Sequence, residues 1–437
     1  MKITLAILLN MSLLVVLLPW LRQQWQATPL GAWRGAFGLA LGLRVGVGVV
    51  RNWHPQADAA FMSSVGRLVT DKIWQHPSQT WDILTRAVTV FPKGHASYDF
   101  VFSNTSNTWI LIKTLAVLNV ASLETDWLNA LYISLFAFVG CWLLARSLAN
   151  AFPKTPAGAG VVAFLLWPSV WFWATGISKE AVLLGSGAWL TARVVDACFG
   201  PARRGWFVAA GLPGTVGLAL LHLGMRYFFA APLLGVLGGV AIVQALRRTG
   251  VVRRRGAQGL VLAAVLGGGM WLVPQLSKAF SMNKFTNQVM NVYAFDIAHS
   301  VGRPHFEYPN LRPTGASIAA HAPLAVANAL TRPWLGESWK PLYVAAALEN
   351  VALLALLALA GWAAVRGRSG RLPFSLVLGL IVFCLVLAFL IGLTTPNLGT
   401  LNRYRSGLLP YLLLLLFQND YAAAAFRRLG LGSWSRP

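Results

Sequence analysis

Apolar runs of about 17–25 residues recur along this whole chain, the length that a bilayer's hydrocarbon core demands of a helix. They fall near residues 3–20, 32–50, 127–146, 158–175, 180–196, 206–222, 227–246, 258–276, 341–365, 372–393 and 407–425. Such segments have one backbone solution. Without water to satisfy them, N–H and C=O groups must bond within the segment, so each run is predicted to be a helix. The expected fold is all-α: a polytopic integral membrane protein with about 11 (10–12) transmembrane helices in a single transmembrane domain, 1–437. Only 11% of residues are charged, against about 25% in a soluble domain. Two polar stretches remain as larger loops, 51–126 and 277–340. Within the second, Ser317–Leu330 reads as a short surface helix.

The net charge of +23 does not point to nucleic acid. It accumulates in short loops, as membrane insertion requires of cytoplasmic segments. Arg247, Arg248, Arg253, Arg254 and Arg255 form one cluster. Arg366, Arg368 and Arg371 form another, and Arg203–Arg204 and Arg427–Arg428 complete the set. Cys141, Cys198 and Cys384 show neither metal spacing nor a disulfide framework. The first apolar run is not followed by a small-residue cleavage site, so it reads as a retained anchor helix.

These basic loops put 247–257, 366–371 and the C-terminal tail inside. Loops 277–340 and 394–406 and the turns near Lys179 and Arg226 then lie outside. Residues 147–157 fall inside and 121–126 outside. Trp109–Val120 is too short to span comfortably. Lying on the surface, it makes 51–126 one outer loop with the N-terminus outside; spanning, it makes 51–107 cytoplasmic. The first arrangement is the expected one. It leaves only Asp196 and Asp420 inside among the thirteen acidic residues, so the chemistry is expected on the outer face.

Three constellations carry candidate chemistry there. Arg44 lies within an apolar run, where an ionisable group is costly and a functional candidate; the alternative is snorkelling to headgroups. Arg51-Asn-Trp-His54-Pro-Gln-Ala-Asp58 follows. Its Asp58 suits either a general base near bound phosphate or a helix N-cap. Trp167-Pro168 through Ser178-Lys179-Glu180 joins two spans by a short turn, with Pro168 expected to kink the first. Lys179 could grip a phosphate and Glu180 a sugar hydroxyl or metal, or Ser178 could simply cap a helix that Glu180 begins. Thr394 to Pro410 places Arg403 and Arg405 at an outer helix start, a setting that favours anions. Glu124 and Asp126 have the spacing of a metal pair, or Thr125 or Asp126 caps the next helix. Arg303-Pro-His305-Phe-Glu307-Tyr and Arg332 to Lys340 mix arginine, aromatics and carboxylates, as carbohydrate sites and membrane interfaces both do. The seven histidines form no HExxH pattern, so no metal ligand is assigned and no cofactor is certain; a divalent metal is left open.

These segments resemble the GT-C superfamily of polytopic membrane glycosyltransferases, which use polyprenyl-phosphate-linked sugars. Asp58 lies in an outer loop after an early span, where that superfamily keeps its catalytic acid. Pro168 to Glu180 resembles the Pro-to-Glu turn of mannosyltransferases that build glycolipid anchors. Asn402-Arg403-Tyr404 with Pro410 resembles the closing motif of protein-mannosyltransferase-like members, and Trp109–Asn119 their surface helix. The chain also resembles poorly characterised membrane proteins of bacterial exopolysaccharide clusters.

The resemblance implies a glycosyltransferase of the bacterial inner membrane, active on the periplasmic face, with a cytoplasmic C-terminus. Its partners would be a polyprenyl-phosphate-linked sugar, a glycan or lipid acceptor and membrane lipids, with no nucleic acid. Asp58 would deprotonate the acceptor. Arg403 and Arg405, with Arg44, Arg51, His54, Lys179 and Glu180, would bind substrate and phosphate. Two alternatives stay open: a polymerase joining lipid-linked repeat units, and a flippase of lipid-linked sugar.

Overall fold

The described apolar runs fold as helices. A computed structural model describes residues 1–53, 56–85, 106–200, 211–276 and 282–434. In chain order the helices are α1 (Lys2–Ala27), α2 (Ala32–Trp53), α3 (Ala57–Gln75), α4 (Thr80–Thr85), α5 (Asn107–Ser122), α6 (Asp126–Ala151), α7 (Gly158–Val161), α8 (Pro168–Trp173), α9 (Lys179–Phe199), α10 (Leu212–Met225) and α11 (Tyr227–Arg248). Then come α12 (Arg255–Leu276), α13 (Met282–Ala298), α14 (Gly315–Thr331), α15 (Pro341–Val365), α16 (Phe374–Thr394), α17 (Leu398–Tyr404), α18 (Leu409–Leu416) and α19 (Asp420–Arg428). Among the described residues there is no strand, only one isolated antiparallel bridge, His305 to Asn397. Among the described residues seven helices, α1, α2, α6, α9, α11, α15 and α16, are long and apolar enough to cross a membrane.

Two expected spans are not single helices. Segment 158–175 was expected to kink at Pro168; it breaks instead. After α7 the helix widens through Val162–Leu166, and Trp167 N–H reaches Val162 O at 2.9 Å, five residues back. Trp167 is extended, as a residue before proline prefers, and α8 restarts with Pro168 in its first turn. Segment 407–425 divides into α18 and α19, separated by Asn419, whose side chain caps α19. Segment 206–222 falls partly outside the described residues, and its described part is the 14-residue α10.

Helix directions follow from specific contacts. Gly140 of α6 and Gly185 of α9 approach so closely that a Cβ on either would strike the other helix, the close approach small residues permit. Phe136 meets Trp189 at 6.1 Å and Phe152 meets Phe199 at 5.2 Å, so α6 and α9 run parallel. Asn10 bonds Tyr132 and Gln24 bonds Arg146, so α1 runs with them. Phe37 meets Trp142 at 4.5 Å while Gly48 abuts Ser134, so α2 runs against them. The starts of α1, α6 and α9 and the end of α2 therefore share one end of the bundle.

The opposite end gathers the C-terminal residues. Trp33 Nε1 donates to Ser433 O at 3.0 Å and Gly158 N to Leu431 O at 3.0 Å. Asp420 N donates to Arg368 O at 3.2 Å, and Arg248 Nη2 to Ala197 O and Cys198 O, both at 2.9 Å. The described arginine-rich segments thus collect at this tail end; Arg203 and Arg204 lie outside the described residues.

Helix α5 does not run between the two ends. Its Asn107 and Thr108 hold Lys179 at the start of α9, and its last turn leads directly into α6, whose Asp126 binds Ser63 and Arg67 of α3. Gly66 and Thr70 of α3 lie against Leu115 and Ala116 of α5. Trp109–Val120 therefore lies along α3 at one end of the molecule and does not run the length of the bundle.

Several caps decide alternatives that spacing left open. Gln56, not Asp58, occupies the cap position of α3, and Asp58 sits in its first turn. Ser178 caps α9 by accepting from Ala181 N at 3.1 Å. Thr125 occupies the cap position of α6 without a side-chain bond. The surface helix expected at Ser317–Leu330 is α14, capped by Thr314.

Candidate functional site

An open cleft of about 390 Å³ lies at the end where α2 finishes and α9 begins. It is lined by Asp58, Arg303, Lys340 and Arg403 together with Gln56, Trp173, Tyr343, Asn397 and Thr400. Most of these come from segments read as outer, while Trp173 and Tyr343 come from the ends of the expected spans 158–175 and 341–365. Asp58 is offered by the first turn of α3, and Trp173 by the last residue of α8. Lys340 and Tyr343 stand at the start of α15. Arg303 is brought in by a short backbone clasp: Phe306 N donates to Pro396 O at 3.2 Å and Leu398 N to Pro304 O at 3.1 Å. Asn397 then caps α17 by accepting from Gly399 N and Thr400 N, which orients Arg403 one and a half turns later.

Arg403 is the centre of the electrostatics. Its Nη1 lies 3.2 Å from Asp58 Oδ2 and 3.3 Å from Gln56 Oε1. Its Nε lies 3.3 Å from Glu180 Oε1, which also takes Arg226 Nη2 at 2.9 Å. Burial alone would lower the Arg403 pKa. Glu180, Tyr404 and Asp58 outweigh it and push the guanidinium above the ordinary arginine range. The Arg226 guanidinium also stacks 3.7 Å from the Tyr404 ring centroid. Glu180 is 5% exposed and Asp58 66%, so Arg403 links a buried anchor to a solvent-facing carboxylate.

The residues expected to bind substrate divide sharply. Asp58 and Arg403 meet in the cleft. Glu180 stands behind it, paired to Arg226 and Arg403, rather than offering a carboxylate to a sugar or metal. Lys179 donates to Asn107 Oδ1 at 2.9 Å and Thr108 Oγ1 at 2.8 Å, so it ties α9 to α5 instead of gripping phosphate. His54 lies outside the described residues.

Three arginines expected at phosphate do other work. Arg44 is wholly enclosed and neither snorkels nor reaches the cleft. It donates to Ala174 O, to Phe164 O at 3.1 Å and to Thr175 Oγ1 at 3.4 Å. Arg51 donates to Phe172 O at 2.6 Å, Thr175 O at 2.9 Å and Trp173 O at 3.3 Å. Both therefore serve the carbonyls orphaned where segment 158–175 breaks, groups that cannot stay unpaired away from water. Positive charge at the C-terminal end of α8 is also favourable. Arg405 is buried, donating to Asn350 Oδ1 at 2.8 Å and to Arg332 O. Its place is between α15 and the loop before it, not the cleft.

Sequence reasoning did not assign Arg226, Gln56, Tyr343 or Asn397. Arg226 had one signal, an arginine at the outer end of two apolar helices. The others had none, because their roles depend on loops meeting. The spaced pair Glu124 and Asp126 does not form a metal site: Asp126 is engaged by Ser63 and Arg67. Among the described residues no group of three or more His, Cys, Asp or Glu is placed to hold a metal. No family model, curated protein or solved structure matches this chain.

Proposed function

We propose that the protein is a membrane glycosyltransferase of GT-C type. It transfers a sugar from a polyprenyl-phosphate donor to a glycan or lipid acceptor. The observation that carries this reading is the cleft itself: one exposed carboxylate, Asp58, beside the cations Arg303, Lys340 and Arg403 and the aromatic rings of Trp173 and Tyr343. On this reading about eleven segments cross a bacterial inner membrane, the broken and shorter helices included. The cleft faces the periplasm and the arginine-rich tail end the cytoplasm.

The chemistry needs no nucleotide. Asp58 takes the proton of the acceptor hydroxyl. The acceptor oxygen forms a bond to the anomeric carbon, and the bond from that carbon to the phosphate oxygen breaks with its electron pair. Arg403, Arg303 and Lys340 stabilise the negative charge that develops on the departing phosphate. Trp173 and Tyr343 offer apolar faces to the sugar. A positioned base contributes about 10²–10⁴-fold. Asp58→Asn is therefore expected to lower sugar transfer by that factor in protein reconstituted in nanodiscs. A folded Asp58→Asn protein with full transfer would refute the assignment.

Three cations against one carboxylate also suit a diphosphate, which favours the polymerase as the second reading. A ladder of products, in place of a single added sugar, distinguishes it.

A further inference from the structure

Arg403 is held from two sides that differ in their freedom. From behind, Glu180 Oε1 lies 3.3 Å from its Nε as a buried ion pair, and Glu180 is itself fixed by Arg226 and shielded from solvent. In front, its Nη1 is shared by Gln56 and Asp58 on the first turn of α3. The Asp58 carboxylate is 66% exposed and has no other ion pair among the described residues. An entering anion can therefore not displace Arg403 from Glu180 but can displace Asp58 from Arg403. Exposed ion pairs are weak enough for such exchange, and a phosphate oxygen is a strong acceptor for an arginine fork.

We propose that the Asp58–Arg403 pair is an anion-released latch: a phosphate group entering the cleft takes Arg403 Nη1, and Asp58 is thereby freed. This deepens the glycosyltransferase reading and rests on it for its purpose. Before donor binds, Oδ2 of the carboxylate is engaged by Arg403 and is not open to an acceptor hydroxyl. Once the donor phosphate is seated, the base is free and stands next to it. Donor must then bind before acceptor can react, which guards against acceptor deprotonation in an empty site. Gln56 keeps the first turn of α3 beside Arg403 during the exchange.

The latch is tested without turnover, using inorganic pyrophosphate as probe and full-length protein in detergent at low salt. Asp58 competes with the anion for Arg403, so Asp58→Asn is expected to tighten pyrophosphate binding about three- to five-fold, the strength of one exposed ion pair. In an Arg403→Gln background the same substitution is expected to give no gain, because the contested group is gone. Arg403→Lys, which keeps a cation beside Glu180 without a fork to divide, checks that loss of binding is not loss of folding. An equal gain with and without Arg403 would mean that Asp58 merely repels anions at a distance, and would overturn the latch while leaving the anion site intact. No change with Asp58→Asn would overturn it equally. Failure of the unaltered protein and of every folded variant to bind pyrophosphate would remove the anion site, and with it the proposed function.

Discussion

Glu180 Oε1 lies 3.3 Å from Arg403 Nε, and this one buried carboxylate aims the cation at the mouth of the cleft. Glu180 lies in the first turn of α9 and Arg403 in the last turn of α17, so the contact ties two distant parts of the chain. Removing one member of such a buried set leaves the others uncompensated. Glu180→Gln is expected to destabilise the protein by about 3–5 kcal/mol, measured as a fall in the thermal unfolding midpoint in detergent. Arg226→Gln should fall in the same direction, since it strips the second partner from the same oxygen.

Arg44 is expected to matter for folding and not for anion binding. Arg44→Leu leaves the carbonyls of Phe164 and Ala174 without their donor, at about 1–3 kcal/mol for each buried group. Arg44→Lys should recover only part of this, because one ammonium cannot span both carbonyls as the fork does. Thermal unfolding reads the loss. A folded Arg44→Lys protein should bind pyrophosphate normally, and a matching loss of affinity would return Arg44 to the cleft.

Asp296 supplies the pH dependence. Burial pushes its carboxyl above the ordinary value of 3.8, despite the Asn397 N–H that its Oδ2 accepts at 3.0 Å. A carboxyl with a raised pKa holds its proton more tightly folded than unfolded. Its contribution to stability is present below the unfolded value and is lost as pH rises through the folded one. Asp296→Asn cannot ionise, so it should be the more stable protein at about pH 7, with the difference closing as pH falls toward about 4. Melting curves across that range test the sign.

The position of α5 predicts accessibility. Gln79 follows α3 on the cleft side of the molecule, and Ser433 lies at the tail end beside Trp33. In intact cells an impermeant thiol reagent should label Gln79→Cys and spare Ser433→Cys. The reverse pattern would place the cleft in the cytoplasm.

Much of the architecture was legible in the residues alone, because a membrane leaves so few backbone choices. Runs such as Phe374–Thr394 and Tyr227–Arg248 could only be helices, and they are. Arginine clusters such as Arg247 with Arg248, and Arg366 with Arg368 and Arg371, marked segments that gather at the tail end. Ser178 was readable as a cap because capping is local chemistry. The site was half legible: Asp58 and Arg403 do meet, though 345 positions apart.

What failed did so for one physical reason. An arginine in an apolar segment signals that something must receive its five donors, but not what. Arg44 donates to Phe164 O at the Trp167–Pro168 break and to Ala174 O beyond α8, Arg51 donates to carbonyls at the end of α8, and Arg405 donates to Asn350 and the Arg332 carbonyl beside it. Arg403 alone among the four reaches the cleft. The sequence by itself determined that the chain is helical, where its long apolar helices lie and which segments carry charge. Tertiary structure decided which charges face solvent and which complete broken backbone, since that depends on the direction and contact of helices hundreds of residues apart.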